Sequence, residues 1–355
     1  GSDLTGIVSE DRKLYKSCSP YTVTGNWWIK EGATITVEKG VTINVNDSKY
    51  IKVDGNLNIN PGATLNFGNA AYLEVNSGML DAQGTVTDSI TFHATYHVSS
   101  RLTLKNSSII KYAKISGMRS YLTESTISNS RIFDSHQGAY LYSKAIISYS
   151  KIHQISGEMI YVQSAPLGEE HSPIIIGNEL IAGGQSSSTL IMCSAFTTIK
   201  NNRLYSPNSN SSNTMINISG DAIIENNIIG GIKGKHGNIG IQLGNHGSVQ
   251  SVTIKNNQIG GFDNNIKTYK EINQFIFSHN SFIGEMDIAS GQRNVVVDPN
   301  GFTQDEVAID MKENYWGNVD AADINNSITD FEDDFELKGN VDFSDALTTH
   351  HPATP

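Results

Sequence analysis

A short pattern recurs along this 355-residue chain and limits what it can fold into. It is an apolar residue, then Asn or Ser three positions on, then an apolar residue two further. It reads Ile127-Ser130-Ile132, Ile147-Ser150-Ile152, Ile175-Asn178-Leu180, Ile199-Asn202-Leu204, Ile224-Asn227-Ile229, Ile254-Asn257-Ile259, Phe277-Asn280-Phe282 and Met311-Asn314-Trp316. A weaker copy is Leu104-Ser107-Ile109. A repeat at this spacing is the mark of a solenoid, in which each coil buries its apolar face against the next. The segments alternate apolar and polar at period two, as in Ser251-Val-Thr-Ile254, so the coils are built from strands. The repeated Asn is expected to point inward and stack in a ladder that satisfies turn backbone.

The first part of the chain carries a different echo. Gly32-Ala-Thr-Ile-Thr-Val37 returns as Gly62-Ala-Thr-Leu-Asn-Phe67, with short strands Tyr50-Ile-Lys-Val53 and Tyr72-Leu-Glu-Val75 among them. Residues 1–20 lack the pattern and are expected to cap the open end, because a bare end coil exposes its core and a strand edge. The expected organisation is a cap or leader over 1–20, a β-helix over 21–317, and a C-terminal cap and tail over 318–355.

The formal net charge of -11 and the scarcity of clustered Lys and Arg argue against nucleic acid. No apolar window approaches the roughly 18 residues of a membrane span. The chain opens on Gly1-Ser2, so it reads as part of a larger protein with flanking domains. Cys18 and Cys193 are expected to stay reduced, with Cys193 in the core.

The segments Gly32–Ile43, Gly78-Met-Leu-Asp-Ala-Gln-Gly84 with Ile90-Thr-Phe92, and the closing Glu313-Asn-Tyr-Trp-Gly317 resemble bacterial right-handed parallel β-helix proteins of the pectate-lyase-like superfamily. The resemblance spans roughly Tyr21 to Phe343. It implies an all-β, single-stranded right-handed parallel β-helix, secreted or on a bacterial cell surface. It implies no particular activity, because that superfamily holds lyases, hydrolases, epimerases, phage tailspikes and non-catalytic surface proteins.

Function was sought on the strand that follows the ladder. If Leu141, Ile160, Ile216, Ile241 and Ile266 face inward, the outward column is Tyr140, Tyr142, Tyr161, Gln163, Asn217, Gln242, Lys267 and Tyr269. Aromatic faces and amides suit a polysaccharide or cell-surface glycan, and the column holds no carboxylate pair for hydrolysis. A basic cluster of Lys233, Lys235, His236, His246, Lys267 and Lys270 is read as a solvated loop. The acidic run from Asp305 to Asp345 is read as a solvated cap. Calcium would suit its oxygens, but it matches no calcium-binding loop. No other cofactor is implied. The leading expectation is a non-catalytic module for adhesion or glycan binding. A polysaccharide lyase or glycoside hydrolase, and a passive spacer, stay open as alternatives.

Overall fold

The structure is a computed structural model of the whole chain. It describes residues 2–95, 99–163, 172–182, 189–207, 213–230, 237–244, 249–284, 287–298, 307–334, 336–337 and 339–355. The chain divides into two compact units, residues 1–160 with 165–174 and residues 161–164 with 175–355. Both are parallel β-helices: each coil contributes one short strand to each of three walls, and every wall pairs parallel with the coils before and after it.

In the first unit the first wall runs through Thr34–Val37, Asn56–Ile59, Met79–Gln83, Ile109–Lys111, Thr126–Ser128 and Ile146–Ser148. The second holds Thr42–Val45, Thr64–Phe67, Ile90–Ala94, Ala113–Ser116, Arg131–Ser135 and Lys151–Ile155. The third holds Tyr50–Val53, Tyr72–Val75, Arg101–Leu104, Arg119–Leu122 and Ala139–Leu141. Period-two alternation puts one apolar set inside. Ile35 pairs Leu57, and Leu57 pairs Leu80; Ile110 pairs Ile127, and Ile127 pairs Ile147. All six are fully buried, and each such side chain stabilises by roughly 1.5–3 kcal/mol.

Residues 2–14 do not behave as the patternless cap expected from sequence. Ser2–Val8 pairs parallel with Tyr21–Ile29, with a register shift between Leu4 and Gly6, and Arg12–Leu14 pairs with Thr34–Val37. Leu4, Val8 and Leu14 are buried, so these residues are a further coil of the same helix. Three apolar residues were too few to reveal the alternation in sequence.

The second unit contains the asparagine ladder. Asn178, Asn202, Asn227, Asn257, Asn280 and Asn314 are buried at the turn between first and second walls, spaced by 24, 25, 30, 23 and 34 residues. Asn227 shows the arrangement. Its backbone N–H donates to Asn257 Oδ1 at 2.9 Å, and its Oδ1 accepts the Asn202 N–H at 2.9 Å. Its Nδ2 donates to the carbonyls of Ile199 and Glu225, both at 3.0 Å. One amide thus closes its own turn and ties two neighbouring coils. The residue before each ladder position is left-handed: Asn201, Asn226 and Asn256 have φ near 55–57°, and Gly177 has φ 68°. Asn and Gly tolerate that region best.

In the first unit Ser130 and Ser150 stand at the same turn, with the Ser130 N–H donating to Ser150 Oγ at 3.2 Å. Ser107 does not belong to the ladder: it is exposed and left-handed, with φ 60°. The ladder position of its coil is Ala113, whose N–H donates to Ser130 Oγ at 3.0 Å across a 17-residue coil. Leu104-Ser107-Ile109 mimicked the pattern at a different corner, where the buried hydroxyl is that of Ser108.

The second unit closes as the Asn-Tyr-Trp-Gly element implies. Trp316 is buried against Phe282, with ring centres 4.9 Å apart, and against Phe343 at 6.0 Å. Helix Ala321–Asn326 follows, and Gly339–Asp342 returns to pair parallel with Val307–Asp310, which precedes Trp316 in the chain. Residues 348–355 pack back on this unit: His351 stacks on His279 at 4.0 Å, and His350 lies against Tyr315. Gln258 Nε2 donates to the Pro355 carbonyl. Both cysteines are free thiols, Cys18 exposed and Cys193 buried, where burial pushes the Cys193 thiol up to about 12. No described helix is long and apolar enough to cross a membrane.

Two substitutions test the ladder from opposite sides. Asn227→Ala orphans several buried groups and is expected to cost roughly 3 kcal/mol or more, read as a lower thermal midpoint. Tyr149 is exposed with φ 49° one position before Ser150. Tyr149→Asn is expected to raise the midpoint, by about 1 kcal/mol of relieved strain.

Candidate functional site

The outward face of the third wall in the first unit carries two adjacent registered columns. One is Trp28, Lys52, Glu74, Thr103, Tyr121 and Tyr140. The other is Tyr50, Tyr72, Arg101 and Arg119. Neighbouring coils are about 4.8 Å apart and columns two residues apart lie about 7 Å away along the strand. The face is therefore a plate two side chains wide.

The rings pack along it. Tyr50 and Tyr72 stack with centres 5.0 Å apart and planes at 15°. The Arg101 guanidinium covers Tyr72 at 4.0 Å. Tyr121 stacks on Tyr140 at 4.9 Å and 21°. Lys52 lies over the Trp28 ring at 4.5 Å. All are half-buried, and Tyr72, with Tyr50 on one side and Arg101 on the other, has both ring faces covered. Burial, then the negative charge of Glu158, holds the Tyr140 hydroxyl above its ordinary range, so it stays protonated and able to donate. Glu158 in turn accepts from Gln137 Nε2 at 3.1 Å. Arg101 and Arg119 face one another in register with no carboxylate partner among the described residues, and Arg119 Nε is buried without a hydrogen-bond partner. Two cations directly opposite one another are unfavourable until an anion or polar ligand sits between them.

One end of the plate is pinned by Asp54, which is 9% exposed. Its carboxylate accepts from Trp28 Nε1 at 2.7 Å and from Ser77 Oγ at 3.1 Å, and pairs with Lys52 at 3.2 Å. Burial pushes its pKa up, but hydrogen bonds from Asn76, Lys52, Trp28 and Ser77 outweigh that and bring it down to about 2. The backbones stack so closely at this corner that a Cβ on Gly78 would lie 1.8 Å from the Gly55 carbonyl oxygen.

Of the eight residues expected in the outward column, two lie in the first unit and six in the second. Tyr140 and Tyr142 lie in the first unit, both half-buried. Tyr161, Gln163, Asn217, Gln242, Lys267 and Tyr269 lie in the second. There Asn217, Gln242 and Lys267 share one register line, with the apolar Met192 and Val296 on either side of it. Leu141, Ile160, Ile216, Ile241 and Ile266 do face the core. Their outward neighbours are not all exposed, however. Asn217 and Gln242 are only 8% and 6% accessible, and Asn217 Oδ1 has no partner among the described residues. Tyr161 Oη accepts from Ser194 Oγ at 3.4 Å. Lys267 pairs with Asp298 at 3.7 Å and lies 4.6 Å from the Tyr269 ring centre.

Trp28, Tyr50, Tyr72, Arg101, Arg119 and Tyr121 escaped the sequence reading. Their signal was present: Tyr50 and Tyr72 head the two alternating strands already noted in the first coils. Carrying the outward column upstream of residue 139 would have reached them. Of the basic cluster, Lys233, Lys235, His236 and His246 lie outside the described residues. The acidic run is not wholly solvated: Asp330 is 4% exposed and accepts the Val341 N–H at 2.7 Å and the Glu332 N–H at 3.1 Å, while burial raises its pKa. Among the described residues no group of three His, Cys, Asp or Glu is placed to hold a metal ion.

No protein-family model and no curated protein matches the chain. Solved structures do. The Dettilon tailspike protein aligns with 85% of this chain at 12% identity and a TM-score of 0.47, and this chain spans 62% of that protein's length. The alginate lyase AlyF-OU02, solved with G6, aligns with 91% of this chain and 81% of its own at 14% identity and a TM-score of 0.47. A tailspike mutant of E. coli bacteriophage HK620, solved with a pentasaccharide, aligns with 84% and 71% at 10% identity and a TM-score of 0.33. At such identities the likeness concerns the fold alone.

The Asp54 network makes a pH prediction. A folded pKa near 2 lies below the ordinary 3.8, so this carboxylate contributes stability above pH 4 that is lost as pH falls toward 2. The contribution is on the order of 2 kcal/mol. The thermal midpoint of Asp54→Asn is expected to lie below wild type at pH 7 and to converge with it near pH 2.

Proposed function

We propose that this chain is a non-catalytic β-helix module of a secreted or surface protein, and that it binds a glycan on the third-wall plate of its first unit. The supporting observation is the plate itself: two stacked tyrosine pairs, Trp28 and two arginines without carboxylate partners among the described residues, held in register by consecutive coils. The stacked rings turn their edges and phenol groups outward, so a sugar would meet them with C–H groups against ring edges and hydroxyls against phenol and guanidinium groups. A flat, stepped surface suits a polymer crossing several coils better than a small molecule in a pocket. Adhesion or retention is favoured over hydrolysis, because Asp54 is committed to Trp28, Ser77 and Lys52, and Glu74 and Glu158 sit on coils too far apart to flank one glycosidic bond.

The enzymatic alternative has one observation in its favour. In the second unit Lys267, Tyr269 and Asp298 gather beside Gln242, a lysine, a phenol and a carboxylate of the kinds that move protons.

A glycan array followed by titration calorimetry tests the proposal. Tyr72→Ala and Tyr121→Ala are each expected to weaken binding about tenfold, equivalent to roughly 1.4 kcal/mol, with a small fall in thermal midpoint from the lost ring stacking and the fold retained. Unsaturated or shortened products from the bound polysaccharide, lost in Lys267→Ala, would overturn the non-catalytic reading. An array with no ligand would overturn glycan binding altogether.

A further inference from the structure

The second wall of the first unit carries a cationic row. Lys114 pairs in register with Arg131, and Arg131 with Lys151. Lys114 and Arg131 are exposed. Neither has a carboxylate within ion-pair distance among the described residues. Beside this row runs a second one, Ser116, Phe133 and His153. Phe133 and His153 stack nearly parallel, 5.4 Å apart with planes at 3°. The Arg131 guanidinium reaches over both: it lies 5.4 Å from the Phe133 ring centre, and its Nη2 is 3.3 Å from His153 Nε2. Burial and, after it, the Arg131 guanidinium hold His153 below the ordinary histidine range, against the raising effects of Gln154 and Asp134.

This arrangement costs the fold something. Like charges on adjacent strands repel, and the chain as a whole carries a formal net charge of -11 with only 25 Lys and Arg. Random decoration of an acidic protein would seldom line up three cations on successive coils about 4.8 Å apart. Residue spacings of 17 and 20 hide the row from any local charge window.

We propose that this row is an anion-binding site for an acidic polysaccharide, one bearing carboxylates or sulfates along its length, laid across the coils with a sugar ring against the Phe133–His153 pair. The site lies on a different wall from the aromatic plate and stands independently of it. The row is one side chain wide, which fits a single strand of charges and not the two phosphate rows of a duplex.

The probes are dextran sulfate, size-matched neutral dextran and a single-stranded oligonucleotide, titrated against the full chain at several salt concentrations. Dextran sulfate is expected to bind and neutral dextran not to bind at this site. The double variant Lys114→Ser with Arg131→Ser is expected to weaken dextran sulfate tenfold or more and to reduce the salt slope by about 2. The charge-preserving exchange Lys114→Arg with Arg131→Lys should retain binding. The control Lys30→Ser with Lys49→Ser removes the same charge elsewhere and should leave binding intact. Equal weakening by that control, equal loss on Tyr72→Ala, or tighter binding of the oligonucleotide would each overturn the proposal.

Discussion

A hydrogen bond from one coil's turn to the next coil's amide is the constraint on which the second unit depends. A parallel strand can slip against its neighbour, and a slip of one residue would turn every inward side chain outward. The asparagine ladder forbids that slip. Asn202, Asn227, Asn257 and Asn280 each accept the N–H of the preceding rung and offer their own N–H to the next. Register is therefore set at one corner and inherited by the three walls. In the first unit the same corner is held by Ser130 and Ser150, which offer one hydroxyl where asparagine offers an amide. Close backbone stacking at Gly55 and Gly78 does comparable work at another corner.

A fixed register has a consequence for function. Outward residues on successive coils become columns about 4.8 Å apart, so chemistry separated by some twenty residues in sequence is contiguous on the surface. The tyrosine–arginine plate and the Lys114–Arg131–Lys151 row are both of this kind. Neither is a pocket. Each is a strip whose natural complement is a linear polymer, with ring edges, phenols and guanidinium groups for sugars on one wall and cations for anionic groups on another.

The ladder was legible because its parts lie within six residues of one another. The pattern around Asn202 or Asn257 is local, and the buried neighbours on either side fix its meaning. Ser107 shows the limit: the same local spacing occurs by chance at another corner, and only the coil-to-coil bond of Ala113 to Ser130 identifies the true position. The end strands at residues 2–14 were illegible because three buried apolar residues do not make a periodicity. The outward column was legible in part. Alternation correctly sent Ile216, Ile241 and Ile266 inward, but it says nothing about what covers the other side, and Asn217 and Gln242 are nearly inaccessible. The plate was missed because the column was followed only from Ala139 onward, leaving Tyr50, Tyr72 and Tyr121 as isolated strand residues.

The third wall of the first unit is the proposed ligand face. A crystal structure of the chain soaked with an oligosaccharide selected from the array tests this most directly. The expected result is an intact sugar chain across the coils, against Tyr72 and Tyr121 and with polar contacts to Arg101 and Arg119. A sugar seated instead against Gln242, Lys267 and Tyr269, with its glycosidic bond cleaved beside Asp298, would contradict it.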